Sequence, residues 1–147
     1  MKLYTIGFTE KTAEEFFALL EGAKVKTLWD IRLKNHSQLA AFSKYPDLAF
    51  FLDQLLDIRY SHFIDLAPAP ELLKSWRDKE MEWKAYQKAF SQLMDSRNVA
   101  KLIKKEWREA KKPICLLCSE AKPDFCHRSL VAQIIKKLYP KTEIIHL

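Results

Sequence analysis

Short apolar runs alternate with helical patterns along this chain, and this alternation constrains the possible folds more than any other feature. The runs predict strands over residues 2–6, 25–31, 58–63, 114–118 and 142–146. The second and fourth runs are apolar almost throughout, as strands buried on both faces of a parallel sheet are. The pattern predicts an α/β fold with a mostly parallel sheet of about five strands and helices on both faces. This is a Rossmann-like three-layer sandwich without a Gly-rich nucleotide loop.

Helix signals fill the segments between these strands. Thr12 and Glu15 have the spacing of a capping box, and the helix that they begin can end at Gly22. Helical patterns also cover residues 46–56, most of 71–110, and 125–138, where Asp124 is the expected N-cap. The Met and aromatic residues spaced along 83–94 indicate core packing rather than a cofactor site.

The composition indicates one globular domain over residues 1–147, because 48% of the residues are apolar and 30% are charged. No apolar run reaches the ~18 residues that a membrane span needs, and the start lacks the zones of a signal peptide. We therefore expect a cytoplasmic protein without membrane contact. The odd number of cysteines (Cys115, Cys118 and Cys126) is a poor disulfide framework, and cytosolic thiols stay reduced.

The net charge of +6 favours an anionic partner, such as a phosphate-bearing small molecule or a nucleic acid. Part of this charge clusters on and just after one predicted helix, where it forms either a solvated face or a contact with a phosphate backbone. We call these residues the basic face: Lys101, Lys104, Lys105, Arg108, Lys111 and Lys112.

The scarcity of glycine excludes two common nucleotide sites. Gly7 and Gly22 are the only glycines, so the chain has neither a P-loop nor a Gly-x-Gly-x-x-Gly dinucleotide loop. A Gly-x-Ser-x-Gly nucleophile elbow is also missing. We expect no cofactor.

Polar side chains gather at the carboxyl ends of the predicted strands, which is where ligands bind in open parallel sheets. Because the ends of strands one, two and four share one edge of the sheet, we expect them to converge with the start of the last helix. The expected members of this pocket are Thr5, Gly7, Asp30, Arg32, Cys118, Glu120, Cys126, His127 and Arg128.

The start of the last helix is the most informative segment. With Asp124 as the N-cap, Cys126, His127 and Arg128 lie in the first helical turn, where free N–H groups and the helix dipole attract anions. The same field lowers the pKa of a thiol, so Cys126 is a candidate thiolate. The geometry suits a bound phosphate equally well, with Arg128 as a bidentate donor. Alternatively, Cys126 is a small buried residue and His127 is exposed.

Two other groupings have simple structural explanations. Asp30 and Arg32 face the same side of a strand, so they form a plain ion pair or orient a ligand. Cys118, Cys126 and His127 lack the closely spaced cysteine pairs of a structural zinc site. Adjacent helical residues point about 100° apart and rarely bind one ion, so we expect no metal.

Taken together, these segments resemble the family called domain of unknown function 488, and the resemblance covers nearly the whole chain. Cys126-His127-Arg128-Ser129-Leu130 is its most specific part. The chain departs from the family at 33–37, which lacks a Pro- and Arg-rich stretch, and at 66–68, which replaces a Leu-Gly-Gly segment. The resemblance implies an α/β fold with a polar cluster in one pocket. The other motifs that carry it are Thr5-Ile6-Gly7, Asp30-Ile31-Arg32, Phe42-Ser43, Cys118-Ser119-Glu120 and Pro123.

The leading hypothesis is an enzyme-like protein acting on a phosphate-bearing substrate, such as a nucleotide or nucleic acid. Its anion is bound by Arg128 and Arg32, with Cys126 or Cys118 as the thiolate and His127 or Glu120 as the acid or base. Asp30 orients Arg32 or a water molecule, and Thr5, Gly7 and Ser43 complete the substrate site. One alternative is a non-catalytic nucleic-acid-binding module that uses the basic face. Another is a regulatory or scaffold domain whose polar network fixes the fold.

Overall fold

The computed structural model describes residues 1–147, which form one five-stranded sheet with helices on both faces. All strand pairs are parallel, in the order β3-β2-β4-β1-β5, so the predicted fold class is confirmed. The strands are β1 (Lys2–Gly7), β2 (Thr27–Asp30), β3 (Arg59–His62), β4 (Ile114–Cys118) and β5 (Glu143–His146).

Six α-helices connect the strands. The capping box at Thr12 and Glu15 is present, and the first helix ends at Gly22 as predicted. The long helical region after residue 70 divides into three helices. None of the helices has the length and apolar character that crossing a membrane requires. The helices are α1 (Ala13–Gly22), α2 (Asp47–Leu56), α3 (Pro70–Arg77), α4 (Trp83–Ser96), α5 (Val99–Glu109) and α6 (His127–Leu138).

The start of α6 differs from the prediction. The expected N-cap at Asp124 was wrong, because Phe125 has a φ of 55° and lies in the left-handed region, where a helix cannot continue. The chain turns there, and Cys126 becomes the N-cap with extended backbone angles of −126° and 139°. Cys126 therefore precedes the helix instead of lying in its first turn.

The core has two parts, one on each face of the sheet. Alternate side chains of β4 enter different parts, since Ile114 packs with α4–α6 and Cys115 packs with α1 and α2. Trp29 of β2 lies on the α4–α6 side, where its ring centroid is 6.3 Å from that of Trp107. The α4–α6 layer contributes most of the larger cluster of 15 buried residues.

The layers diverge between two neighbouring strands. From β2 the chain runs into the layer of α1 and α2, whereas from β4 it runs into the layer of α4–α6. Because β2 and β4 are adjacent, their carboxyl ends leave a crevice between them, as expected where the connections of a parallel sheet change side.

Candidate functional site

A pocket of about 280 Å³ opens between the carboxyl ends of β2 and β4. It lies close to the lower end of the roughly 300–1,000 Å³ range of small-molecule sites. Its walls come from the loop after β2, from α3 and from the loop that joins β4 to α6. Residues that line it include Arg32, Lys34, Lys74, Trp76, Arg77, Tyr86, Cys118, Glu120, Phe125, Cys126 and His127.

Three buried side chains meet at the floor of this pocket, and we call them the sulfur–imidazole cluster: Cys118, Cys126 and His127. The Cys126 thiol donates to Cys118 Sγ over 3.0 Å, and Cys118 Sγ lies 3.6 Å from His127 Nδ1. The two sulfurs and a ring nitrogen of His127 all lie within 4.8 Å of one another. The cluster joins the end of β4 to the start of α6.

The ring of His127 is fixed from its far side. Its Nε2 lies 2.7 Å from the carbonyl oxygen of Ile31, and a carbonyl can only accept a hydrogen bond. Nε2 therefore carries a proton, and Nδ1 faces the sulfurs. His127 is 7% exposed, so the alternative of an exposed His127 was wrong.

The pKa values of the two sulfurs in the cluster are shifted in opposite directions. The hydrogen bond from Cys126 holds the pKa of Cys118 well below its ordinary value, against the effect of burial and with help from His127. The same hydrogen bond, followed by burial, raises the pKa of Cys126. Burial works to lower the pKa of His127, but the charge and hydrogen bond of Cys118 outweigh it and raise that pKa. The arrangement favours an anionic Cys118 beside a protonated His127.

Asp30, the last residue of β2, forms a buried bidentate ion pair with Arg32. Arg32 Nε and NH2 each donate to a different carboxylate oxygen of Asp30 over 2.8 Å. The remaining donors reach Ser43, with NH1 3.1 Å from Oγ and NH2 2.7 Å from the carbonyl oxygen. Tyr60 donates to Asp30 Oδ2 over 2.5 Å, and burial followed by the charge of Asp30 raises the pKa of Tyr60.

Arg128 lies behind the loop that joins β4 to α6. It is fully buried, and its guanidinium donates to the carbonyl oxygens of Glu120 and Ala121. Its Nε has no hydrogen-bond partner. Gly7 lies against the same loop, where a Cβ would overlap the carbonyl oxygen of Glu120. Gly7 and Arg128 therefore position the loop that carries part of the pocket wall.

The structure brings half of the predicted site residues to the pocket. Those that line it are Arg32, Cys118, Glu120, Cys126 and His127. The other five do not line it: Asp30, Arg128, Thr5, Gly7 and Ser43. Of these, Thr5 is buried and its Oγ1 lies 2.6 Å from His146 Nδ1, whereas Ser43 serves the ion pair.

One side of the pocket was not predicted from the sequence, and it consists of aromatic and basic side chains. Trp76 of α3 lies 5.5 Å from Tyr86 and 6.4 Å from Phe125, measured between ring centroids. Lys74 and Arg77 are on the same helix, which shows basic residues in its last turn. The sequence does contain a signal for this side of the pocket, because Lys74, Trp76 and Arg77 follow the Pro-rich turn on one short helix.

The basic face lies elsewhere, on α5. Lys101, Lys104, Lys105, Arg108 and Lys111 are exposed, as the spacing indicated. Lys112 turns inward, where its Nζ donates to carbonyl oxygens at the end of α5 and lies 5.4 Å from the centroid of Trp107. None of these residues lines the pocket between β2 and β4.

The family model described as domain of unknown function DUF488 matches residues 12–135, most of the chain. The chain belongs to the DUF488 family. In this DUF488 protein the matched region includes both the ion pair of Asp30 and Arg32 and the whole sulfur–imidazole cluster. Strands β1 and β5 lie outside it. No curated protein and no solved structure matches the chain.

Proposed function

We propose that this DUF488 protein is an enzyme that acts on a phosphate-bearing substrate, either a nucleotide or the end of a nucleic-acid chain. The observation that carries the proposal is the sulfur–imidazole cluster at the floor of a pocket that has basic and aromatic walls. Reactive side chains gathered in such a crevice are typical of active sites. A cytoplasmic location, where the three free cysteines stay reduced, is part of this proposal.

Two cations of the pocket are available for a phosphate. Lys34 and Arg77 are exposed, and neither forms an ion pair. Lys74 is 2.5 Å from Asp78, and Arg32 is already committed to Asp30 and Ser43. We therefore assign phosphate binding first to Arg77, whose planar fork matches a phosphate, and then to Lys34.

The aromatic wall supports a substrate with a flat ring. Phe125 is 59% exposed, and Trp76 is half-buried beside it. Stacking of a base on an aromatic side chain contributes about 1–3 kcal/mol. In a nucleotide the base and the phosphate lie close together. A pocket wall that combines aromatic and basic side chains can therefore contact both.

The reacting groups come from the pocket floor. The cluster supplies sulfur and imidazole atoms, and the exposed carboxylate of Glu120 at the pocket edge is placed to serve as an acid or base. Asp30 contributes indirectly, because it fixes Arg32 and through it the loop after β2. Arg128 likewise positions the loop of Glu120.

Calorimetric titration with inorganic phosphate and the four common ribonucleoside monophosphates tests this proposal. We expect Arg77→Ala to weaken the tightest nucleotide about tenfold, which corresponds to ~1.4 kcal/mol, a value typical of a hydrogen bond to a charged group. Lys101→Ala on the basic face is the matched control and should bind like the wild type. Undetectable binding of every probe, or equal weakening by both variants, contradicts the proposal.

A second candidate function is nucleic-acid binding by the basic face. It is favoured by the exposure of five basic side chains on and just after one helix. Such binding would weaken steeply with salt because counterions are released. Fluorescence anisotropy with mixed-sequence DNA and RNA at low and high salt checks it. Binding that Lys101→Ala and Lys104→Ala weaken, while Arg77→Ala does not, would favour this function over the pocket.

A further inference from the structure

We infer that the sulfur–imidazole cluster binds one divalent transition-metal ion of the zinc class, with its open coordination position facing the pocket. This inference deepens the proposed function, because it names a cofactor for the same site. It rests on the positions of three donor atoms and does not depend on which substrate the pocket takes. The sequence favoured the opposite expectation of no metal, but the reason for that expectation does not hold in the structure.

That reason was the helical position of Cys126. Adjacent residues of a helix point away from each other, but Cys126 is an extended N-cap and only His127 belongs to α6. The extended backbone lets the Cys126 side chain turn toward Cys118, so both sulfurs lie on the same side of His127. The objection to shared coordination by neighbouring residues therefore does not apply.

The three donor atoms lie within 4.8 Å of one another, and one of their separations already has the length of a tetrahedral edge. With Zn–S of about 2.3 Å and Zn–N of about 2.0–2.1 Å, sulfur and nitrogen ligands lie roughly 3.6 Å apart. The separation of Cys118 Sγ and His127 Nδ1 is 3.6 Å. The two sulfurs are 3.0 Å apart and would separate by about 0.7 Å to reach a tetrahedral edge, which a small side-chain rotation supplies.

The histidine is already oriented as a metal ligand. Metal-bound imidazoles usually donate their second N–H to a carboxylate or a backbone carbonyl, which fixes the tautomer and the ring. His127 Nε2 donates to the carbonyl of Ile31 over 2.7 Å, so Nδ1 presents its lone pair to the sulfurs once it is unprotonated. The structure thus contains a potential metal ligand together with the backbone hydrogen bond that orients it.

Burial and charge support the same conclusion. Cys118 and Cys126 are each 3% exposed, and two thiolates with one neutral imidazole neutralise a divalent cation. Thiolate and imidazole donors select zinc and related ions over magnesium or calcium. Cys115 lies on the other face of the sheet and takes no part in the cluster.

Three protein ligands leave one coordination position open, as in catalytic zinc sites. All three ligand residues line the pocket, so this position faces the bound substrate. When bound, such an ion polarises a phosphoryl or carbonyl oxygen and activates water. The roles of Arg77, Lys34 and the aromatic wall remain those proposed above.

Metal analysis of the full chain tests the inference. The protein is purified without a metal-affinity tag, kept reduced with a phosphine, freed of metal by chelation and then titrated with zinc or cobalt. We expect one equivalent of zinc per chain to remain after gel filtration, and the cobalt form to show a sulfur-to-metal charge-transfer band. Zinc should also raise the melting temperature, since it binds the folded state.

Matched cysteine variants locate the ion. Cys118→Ala and Cys126→Ala should each lose stoichiometric zinc and the cobalt band, whereas Cys115→Ala should keep both. If a variant does not fold, proton release on adding zinc to the wild type shows whether thiols bind the ion, because coordinating thiols must lose their protons. Less than a tenth of an equivalent of zinc in the wild type, no proton release, or equal loss in Cys115→Ala overturns the inference.

The outcome is separable from that of the proposed function. Nucleotide titrations of the metal-free wild type measure the pocket without the ion. Nucleotide binding without zinc binding would overturn the metal inference alone, and zinc binding without any nucleotide binding would overturn the substrate proposal alone.

Discussion

Two buried polar groups lie near the carboxyl end of β2, and they differ in how fully their polar atoms are paired. The ion pair of Asp30 and Arg32 is closed, since the carboxylate accepts from Arg32 and Tyr60 and the guanidinium also reaches Ser43. The sulfur–imidazole cluster is open. The hydrogen bond from His127 to the carbonyl oxygen of Ile31 holds its imidazole, and all three of its residues line the pocket.

This difference leads us to expect different roles for the two groups. A closed buried pair leaves little capacity for a ligand and mainly fixes the local backbone, here the loop after β2. An open cluster of donor atoms at a pocket floor keeps that capacity. We therefore assign the ion pair to stability and the cluster to chemistry, and the variants below test that assignment in order of expected effect on stability.

The largest effect is expected at the ion pair. Asp30→Asn leaves the Arg32 charge buried without a partner and should lower the free energy of unfolding by about 3–5 kcal/mol. Urea denaturation followed by circular dichroism measures it. Asp78→Asn, which breaks the exposed pair with Lys74, is the control and should cost no more than about 1 kcal/mol. A similar loss in the free energy of unfolding for both variants would show that the buried ion pair is no more important for stability than the exposed one.

The second largest effect on stability is expected at Gly7, which lies against the loop that joins β4 to α6. Gly7→Ala places a Cβ against the backbone of Glu120 and should cost at least about 1–3 kcal/mol, because backbone must move. Gly22→Ala meets no atom within 4 Å and changes the last residue of α1, which has no positive φ, so it should stabilise by about 0.4–1 kcal/mol. Thermal and urea unfolding measure both. A neutral Gly7→Ala would show that this loop is not held rigidly.

The cluster itself should matter less for stability than the ion pair. In metal-free protein we expect Cys118→Ala to cost about 1 kcal/mol, within the range of ordinary substitutions. Zinc should stabilise the wild type and leave Cys118→Ala unchanged. Unfolding with and without added zinc checks both statements. A cost as large as that of Asp30→Asn would make the cluster a structural element.

The smallest effect on stability is expected at the pocket wall. Arg77→Ala removes an exposed side chain without an ion pair and should change the free energy of unfolding by less than about 0.5 kcal/mol. The same variant should lose most of its nucleotide affinity in calorimetry. A stability loss with unchanged affinity would reverse the role assigned to Arg77.

Local patterns were enough to predict the fold of this DUF488 protein. The apolar run at 114–118 is β4, and the capping box at Thr12 begins α1, because both depend on neighbours in sequence. The start of α6 was missed because the left-handed turn at Phe125 leaves no such local signal. The wrong start of α6 also affected the predicted chemistry. It placed Cys126 inside the helix, where its side chain and that of His127 would point in different directions.

The pocket could be predicted only in part. Parallel strands place Cys118, Glu120 and Arg32 at one edge, and the general rule for such sheets locates the crevice. The wall from α3 depends on how a later helix packs across that edge, so Trp76 and Arg77 were not identified. The buried position of Arg128 depends on carbonyl groups of a loop, which no spacing in the sequence reveals.

We propose that the pocket between β2 and β4 is the functional site of the protein. A crystal structure with the tightest-binding nucleoside monophosphate is the decisive experiment. We expect the phosphate beside Arg77 and Lys34, with the base against Trp76 and Phe125. An ordered nucleotide on the basic face of α5, with the pocket free of it, would rule out the pocket as the binding site.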